Sequence, residues 1–235
     1  MTDAPLSTVR NAARVLKAFL TREESLGVSE LSRRLGLGKS AVHRREQTGE
    51  SAQVGVLDGD EVVYVDRLES AHSLRLFTET GRRVPAHCTS SGKILLAHLD
   101  GPARAEYLRR PLARYTPHSV TDPDVLAAEL ARDRVEGWAE AVNEREIGVA
   151  SVAAPVRDAR GEVVAALSVG APVARFGAPQ RRRVSRAVVE AGEAISRRLG
   201  HSPEQGGTGF AVPVAGTPAV TRGPGPAMID RSAVT

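Results

Sequence analysis

"LGLGKSAVHRREQTGESAQVGVLDGDEVVYV", residues 35–65, changes character along its length. It begins as the end of one helix, a glycine-containing turn and the start of another helix. It ends in alternating apolar and polar residues on either side of Asp58-Gly59-Asp60, a hairpin signal. Two kinds of module meet near residue 45, and the reading of that junction decides the architecture.

Upstream, "TVRNAARVLKAFL" sets Val9, Ala12, Ala13, Leu16, Phe19 and Leu20 at helical spacing. "GVSELSRRLGL" sets Val28, Leu31 and Leu35 on one face, and Gly36 stops it. "GLGKSAVHR" turns and begins a third helix. Helix, short glycine-containing turn and helix is the unit that lays its second helix in a DNA major groove. Residues 1–45 hold nine Lys/Arg against four Asp/Glu, whereas the remaining 190 hold 23 against 24. A basic block on a near-neutral body suits a phosphate-facing segment, with a solvated basic surface as the plain alternative. If DNA is read, Lys39 and Ser40 at the helix start meet phosphate, and His43 and Arg44 reach base edges. The third helix lacks an apolar inner face, because Arg45, Glu46 and Gly49 stand three, four and seven residues beyond Val42. So small a unit has little apolar surface to set against chain entropy. Residues 1–45 are therefore expected to be a truncated, weakly folded helix-turn-helix, with DNA binding weakened or lost.

Downstream the period becomes two. "AQVGVL", "EVVYVDRL" and the short "SLRLF" read as strands, followed by "CTSSGKILLAHL", a loop opening into a helix. "TDPDVLAAELARDRVEG" carries every end signal of a helix: Thr121 or Asp122 as cap, Pro123 in the first turn, Gly137 after the end. "WAEAVN", "ASVAAPV" and "EVVAALSVG" read as three more strands, the last two joined by a turn at 158–161. "PQRRRVSRAVVEAGEAISRRLG" closes the body with the stripe Val184, Ala187, Val188, Ala191, Ile195 and Leu199. The fold class is α+β, an antiparallel sheet flanked by helices over residues 46–200. Residues 201–235, with six Gly and five Pro, read as a disordered tail.

Composition narrows the function. The chain has 235 residues, 41% of them hydrophobic and 26% charged, enough for a real core. One cysteine, Cys88, forbids an intrachain disulfide. No apolar run reaches a membrane span, and the first ten residues lack a signal-peptide pattern, so a cytoplasmic address is expected. His87-Cys88 suggests a thiol nucleophile, but a lone cysteine is usually a small buried hydrophobe. The histidines show no metal-ligand spacing, and no phosphate-cradling glycine loop is present. No catalytic residue, metal or cofactor is expected. Glu144 and Glu146 in "NEREIGV" offer carboxylates that could act as general bases, but they read more simply as a loop over a pocket or as surface charge. Ser90, Ser91 and Gly92 put small residues and free backbone N–H groups at a helix start, which favours an anion.

"LGVSELSRRLGLGKSAVHR" resembles the helix-turn-helix of the isocitrate-lyase-regulator (IclR-type) transcription factors. "TGESAQVGVLDGDEVVYVDRLES", "HCTSSGKILLAHL", "TDPDVLAAELARDRVEGWAEAVNEREIGVASVAAPV" and "VVAALSVGAPVARF" resemble, in order, that family's GAF-like effector-binding domain. The resemblance covers roughly residues 7–200. It implies a promoter-binding homo-oligomer whose sensor takes a small carboxylate or aromatic acid. Position by position it implies a pocket lined by Ser90, Ser91, Val149, Ser151, Ser168 and Gly170, with Leu74 and Leu76 as an apolar wall. The family's β-wing and linker helix have no evident counterpart after "AVHR", which reads as an internal deletion. The hairpin at 52–67 can be read as a wing instead, although it matches the sensor's first hairpin better. A ligand-binding or dimerisation module that has lost sequence-specific DNA binding is the other reading.

Overall fold

A computed structural model describes residues 50–68, 72 and 80–202. The expected helix-turn-helix, its candidate DNA contacts Lys39, Ser40, His43 and Arg44, the deletion after it, the strand "SLRLF" with Leu74 and Leu76, and nearly all of the expected tail lie outside these residues.

The chain runs β1 (Ser51–Asp58), β2 (Glu61–Leu68), β3 (Arg83–Pro85), α1 (Ser90–Ala97), α2 (Gly101–Leu108), α3 (Pro123–Glu136), β4 (Ala139–Val142), β5 (Val149–Arg157), β6 (Val163–Pro172) and α4 (Ala178–Arg198). The strands form one antiparallel sheet in the order β3-β2-β1-β6-β5-β4. Two hairpins, β1-β2 and β5-β6, are joined where β1 meets β6, with Gln53 opposite Ser168 and Ser51 opposite Gly170. This is the α+β body read from the sequence.

Strand periodicity separates two faces. Ala52, Val54 and Val56 of β1, alternate residues of β5 from Ala150 to Val156, and Ala165, Leu167, Val169 and Ala171 of β6 point one way. There they meet Val184, Val188, Ala191, Ile195 and Leu199 of α4, as its stripe foretold. Val62, Tyr64, Val84, Ala153 and Ala166 point the other way, against Ile94 to Ala97 of α1, Tyr107 of α2 and Leu126 and Leu130 of α3.

Local chemistry fixes the helix ends. Asp122, rather than Thr121, caps α3 by accepting from Asp124 N at 2.8 Å and Val125 N at 3.3 Å, and Gly137 ends it with φ 74°. Thr89 caps α1 by accepting from Gly92 N at 3.2 Å. A Cβ on Gly92 would stand 2.0 Å from the Ala86 carbonyl oxygen, so only glycine lets the 86–89 turn lie against this helix. Two elements go beyond the sequence reading. β3 is three residues long, too short to show alternation, and extends β2. α2 is capped by Asp100 but buries only Tyr107, so it has no apolar stripe to recognise. At the start of β1, Glu50 is 3% exposed and receives a two-pronged ion pair from Arg175, with Nε at 2.7 Å and Nη2 at 2.9 Å.

Candidate ligand site at the amino end of α1

On the α1 side, the sheet is polar where the two hairpins join. Gln53 of β1, Ser151 of β5 and Ser168 and Gly170 of β6 line a cavity of about 100 Å³. They share a row because the register pairs Gln53 with Ser168 and sets Gly170 opposite Ser151. Cys88 and Thr89 close it just before α1, Tyr64 of β2, Arg82 and Val84 at and just before β3, Glu144, Arg145 and Glu146 from the β4-β5 loop, and Val149 at the start of β5.

That loop is shaped deliberately. Asn143 adopts a left-handed backbone with φ 60°, which asparagine tolerates better than most residues, and its Oδ1 accepts from Gly148 N at 2.7 Å. From below, Thr116 Oγ1 donates to Asn143 O at 2.6 Å and Ser119 Oγ donates to Glu144 O at 2.7 Å. The loop is thereby held with Glu144 buried at the cavity wall.

Behind the wall lies a charge cluster. Lys93 of α1 is 1% exposed, and its Nζ donates to Glu144 Oε1 at 2.6 Å and Glu129 Oε2 at 2.8 Å. Burial works against the charge of Lys93, but its two carboxylate partners outweigh that and move its pKa upward. Burial raises the pKa of Glu144, with Lys93 opposing. The second oxygen of Glu144, Oε2, is buried without a hydrogen-bond partner among the described residues, and so is Gln53 Oε1. Buried polar atoms are ordinarily paired, so both atoms call for a partner.

The structure sorts the residues expected from the sequence. Val149, Ser151, Ser168 and Gly170 line the cavity together. Ser90 stands beside it, its Oγ donating to Ser151 Oγ at 2.8 Å and thereby orienting one lining hydroxyl. Ser91 is fully buried at the α1 start, with no well-formed hydrogen bond to its Oγ, and neither serine is among the lining residues. Glu144 and Glu146, read as a loop over a pocket or as surface charge, both line it. Burial pushes the Cys88 thiol up to about 12, so it stays protonated near neutral pH and is a poor nucleophile. Gln53 and Arg145 went unnoticed in the sequence, although the two-residue period that buries Ala52 and Val54 on one face puts Gln53 on the other. Among the described residues no helix is long and apolar enough to cross a membrane.

The profile of the bacterial transcriptional regulator IclR C-terminal domain matches residues 43–197, and that of the IclR helix-turn-helix domain matches residues 8–48. The HTH-type transcriptional regulator BhcR of Paracoccus denitrificans is 36% identical over 173 residues, covering 72% of this chain and 62% of that protein. The inducer-binding domain of the PobR transcription factor from Acinetobacter, a double mutant solved with 3-hydroxybenzoic acid, is 28% identical with a TM-score of 0.63. That match covers 67% of this chain and 94% of the PobR domain. An IclR homolog of Microbacterium hydrocarbonoxydans complexed with 4-hydroxybenzoate is 25% identical with a TM-score of 0.62, over 81% of this chain and 98% of that one. The chain spans 45 to 62% of the length of the first curated relatives it matches. Its C-terminal match alone takes in well over half of the sequence, and the chain belongs to the IclR family.

Proposed function

We propose that the chain is a transcriptional regulator whose body binds a small organic acid and whose amino-terminal segment contacts DNA. One observation carries the reading: a polar-floored cavity, with two unpartnered buried side-chain oxygens, sits at the amino end of α1 in a chain of this family. Val149, Ser151, Ser168 and Gly170 supply its lining, and Ser90 acts through Ser151. The two arginines at the cavity, Arg82 and Arg145, suit a carboxylate. Relatives solved with hydroxybenzoates support an acid as effector. The helix-turn-helix match over 8–48 supports DNA contact through Lys39, Ser40, His43 and Arg44 over a module without it. The polar underside after Val42 makes that contact weaker than an uninterrupted reading helix would give. The protein works in the cytoplasm as a homo-oligomer and is not an enzyme. The acid acts by favouring one arrangement of paired DNA-contacting segments.

Gel-shift titration tests the reading, using promoter DNA and random-sequence DNA at two salt concentrations, with and without acid. A promoter preference that an acid changes is the expected result. Salt-sensitive binding without sequence preference, unmoved by any acid, would overturn it, since phosphate contacts alone give that pattern.

A further inference from the structure

Three features of the cavity bear on which acid it takes. Its volume is about 100 Å³, whereas an apolar cavity that holds benzene measures about 150 Å³. A benzene ring bearing a carboxylate and a hydroxyl is larger still. Among the described residues, the sheet floor offers hydroxyls and an amide, while the apolar contribution comes from the sides, at Tyr64, Val84, Ala141 and Val149. Finally, Glu144 and Gln53, 9% and 7% exposed, each present a buried oxygen without a donor. The Gln53 amide can turn over to offer NH₂, but Oε2 of the Glu144 carboxylate can only accept, because Lys93 holds Oε1. A ligand that leaves this oxygen unpaired forfeits its desolvation cost.

From these features we infer that the cavity selects a short aliphatic hydroxycarboxylate, whose hydroxyl donates to Glu144 Oε2, over both aromatic acids and acids lacking a hydroxyl. The inference rests on the reading of the cavity as an effector site and names the chemical class it accepts. The carboxylate end pairs with Arg145, which lines the cavity and whose Nε is buried without a hydrogen-bond partner among the described residues. Glu144 sets specificity by its acceptor, with Lys93 fixing which of its oxygens remains available.

Calorimetric titration of the intact chain separates the possibilities. The probes are glycolate, lactate and glycerate, their hydroxyl-free counterparts acetate and propionate, the oxo acid pyruvate, and 4-hydroxybenzoate. At least one hydroxy acid is expected to bind ten-fold or more tighter than its hydroxyl-free counterpart and than 4-hydroxybenzoate. Glu144→Gln swaps the acceptor for an NH₂ donor and is expected to shift the lactate-to-pyruvate preference at least ten-fold toward pyruvate. Circular dichroism shows whether that variant folds, and if it does not, the wild-type series decides alone. Tight binding of 4-hydroxybenzoate, or of short acids without regard to the hydroxyl, would overturn this inference and leave the acid-sensing body standing. Failure of every acid to bind would sink both.

Discussion

The two faces of the sheet are built from the same strands and face opposite demands. Toward α4, the buried strand residues are Ala, Val and Leu, with a single ion pair at the edge between Glu140 of β4 and Arg181, and the helix answers with its own apolar stripe. Toward α1, apolar residues are interrupted by Gln53, Ser151 and Ser168, and the covering helix carries a buried lysine. The first face does what close packing does: each buried side chain gains by leaving water. The second gives up some of that gain to hold charges and hydroxyls in fixed positions. A strand serves both ends at once because neighbouring residues belong to different faces, so binding chemistry can be installed at every second position without disturbing the dry side.

Four substitutions would break or sharpen this contrast. The largest effect is expected from Lys93→Met, which leaves the buried Glu144 carboxylate and the half-buried Glu129 carboxylate without their cation. Breaking such a cluster from one side costs about 3–5 kcal/mol in urea unfolding. Adding Glu129→Gln and Glu144→Gln should restore much of it, and a triple variant as weak as the single would show that shape, not charge, holds α1. On the dry face, Leu167→Ala should cost about 3 kcal/mol through lost burial and the cavity left behind. It should leave acid binding within about two-fold of wild type, because the Leu167 side chain points away from the cavity that its neighbour Ser168 lines.

Asp133 of α3 tests the polar side by pH. It is 1% exposed, its Oδ2 has no hydrogen-bond partner among the described residues, and burial raises its pKa to about 6 despite Arg132. The folded chain therefore keeps this proton to about pH 6, whereas an unfolded one loses it near 4. Stability contributed by the protonated form is present below pH 4, declines as pH rises to 6, and stays lost above. Asp133→Asn should stabilise by on the order of 2 kcal/mol at pH 7.5 and by nothing at pH 3.5. A pH-independent gain would mean that the carboxylate is not the cause. The smallest effect is expected from Ser90→Ala, which removes the hydrogen bond to Ser151. Thermal unfolding should register a loss of about 1 kcal/mol, and acid affinity should fall as the Ser151 hydroxyl loses its orientation.

What was legible in the sequence follows the range of the interactions. The β1-β2 hairpin, the caps of α3 and the stripe of α4 rest on neighbours within a few residues, and each was readable. Lys93 was not, because lysine is ordinarily exposed and its partners stand 36 and 51 residues away. The meeting of β1 with β6 is similarly remote: Gln53 faces Ser168, with everything from β2 to β5 lying between them in the chain. Gln53 consequently gave no sign of its place in the cavity floor. Of the residues drawn from the family resemblance, those on β5 and β6 line the cavity. Ser90 and Ser91 sit just beside it, because Cys88 and Thr89 occupy the turn that reaches the opening.

The clasp between Glu50 and Arg175 has a mechanical consequence. It fixes Glu50, just before β1, in the middle of the sheet and not at its rim. Gln53 lies three residues further on, about 10 Å along an extended strand. The ion pair and the cavity floor thus share one strand, and a load placed on that amide travels along β1 to the clasp with no loop between them.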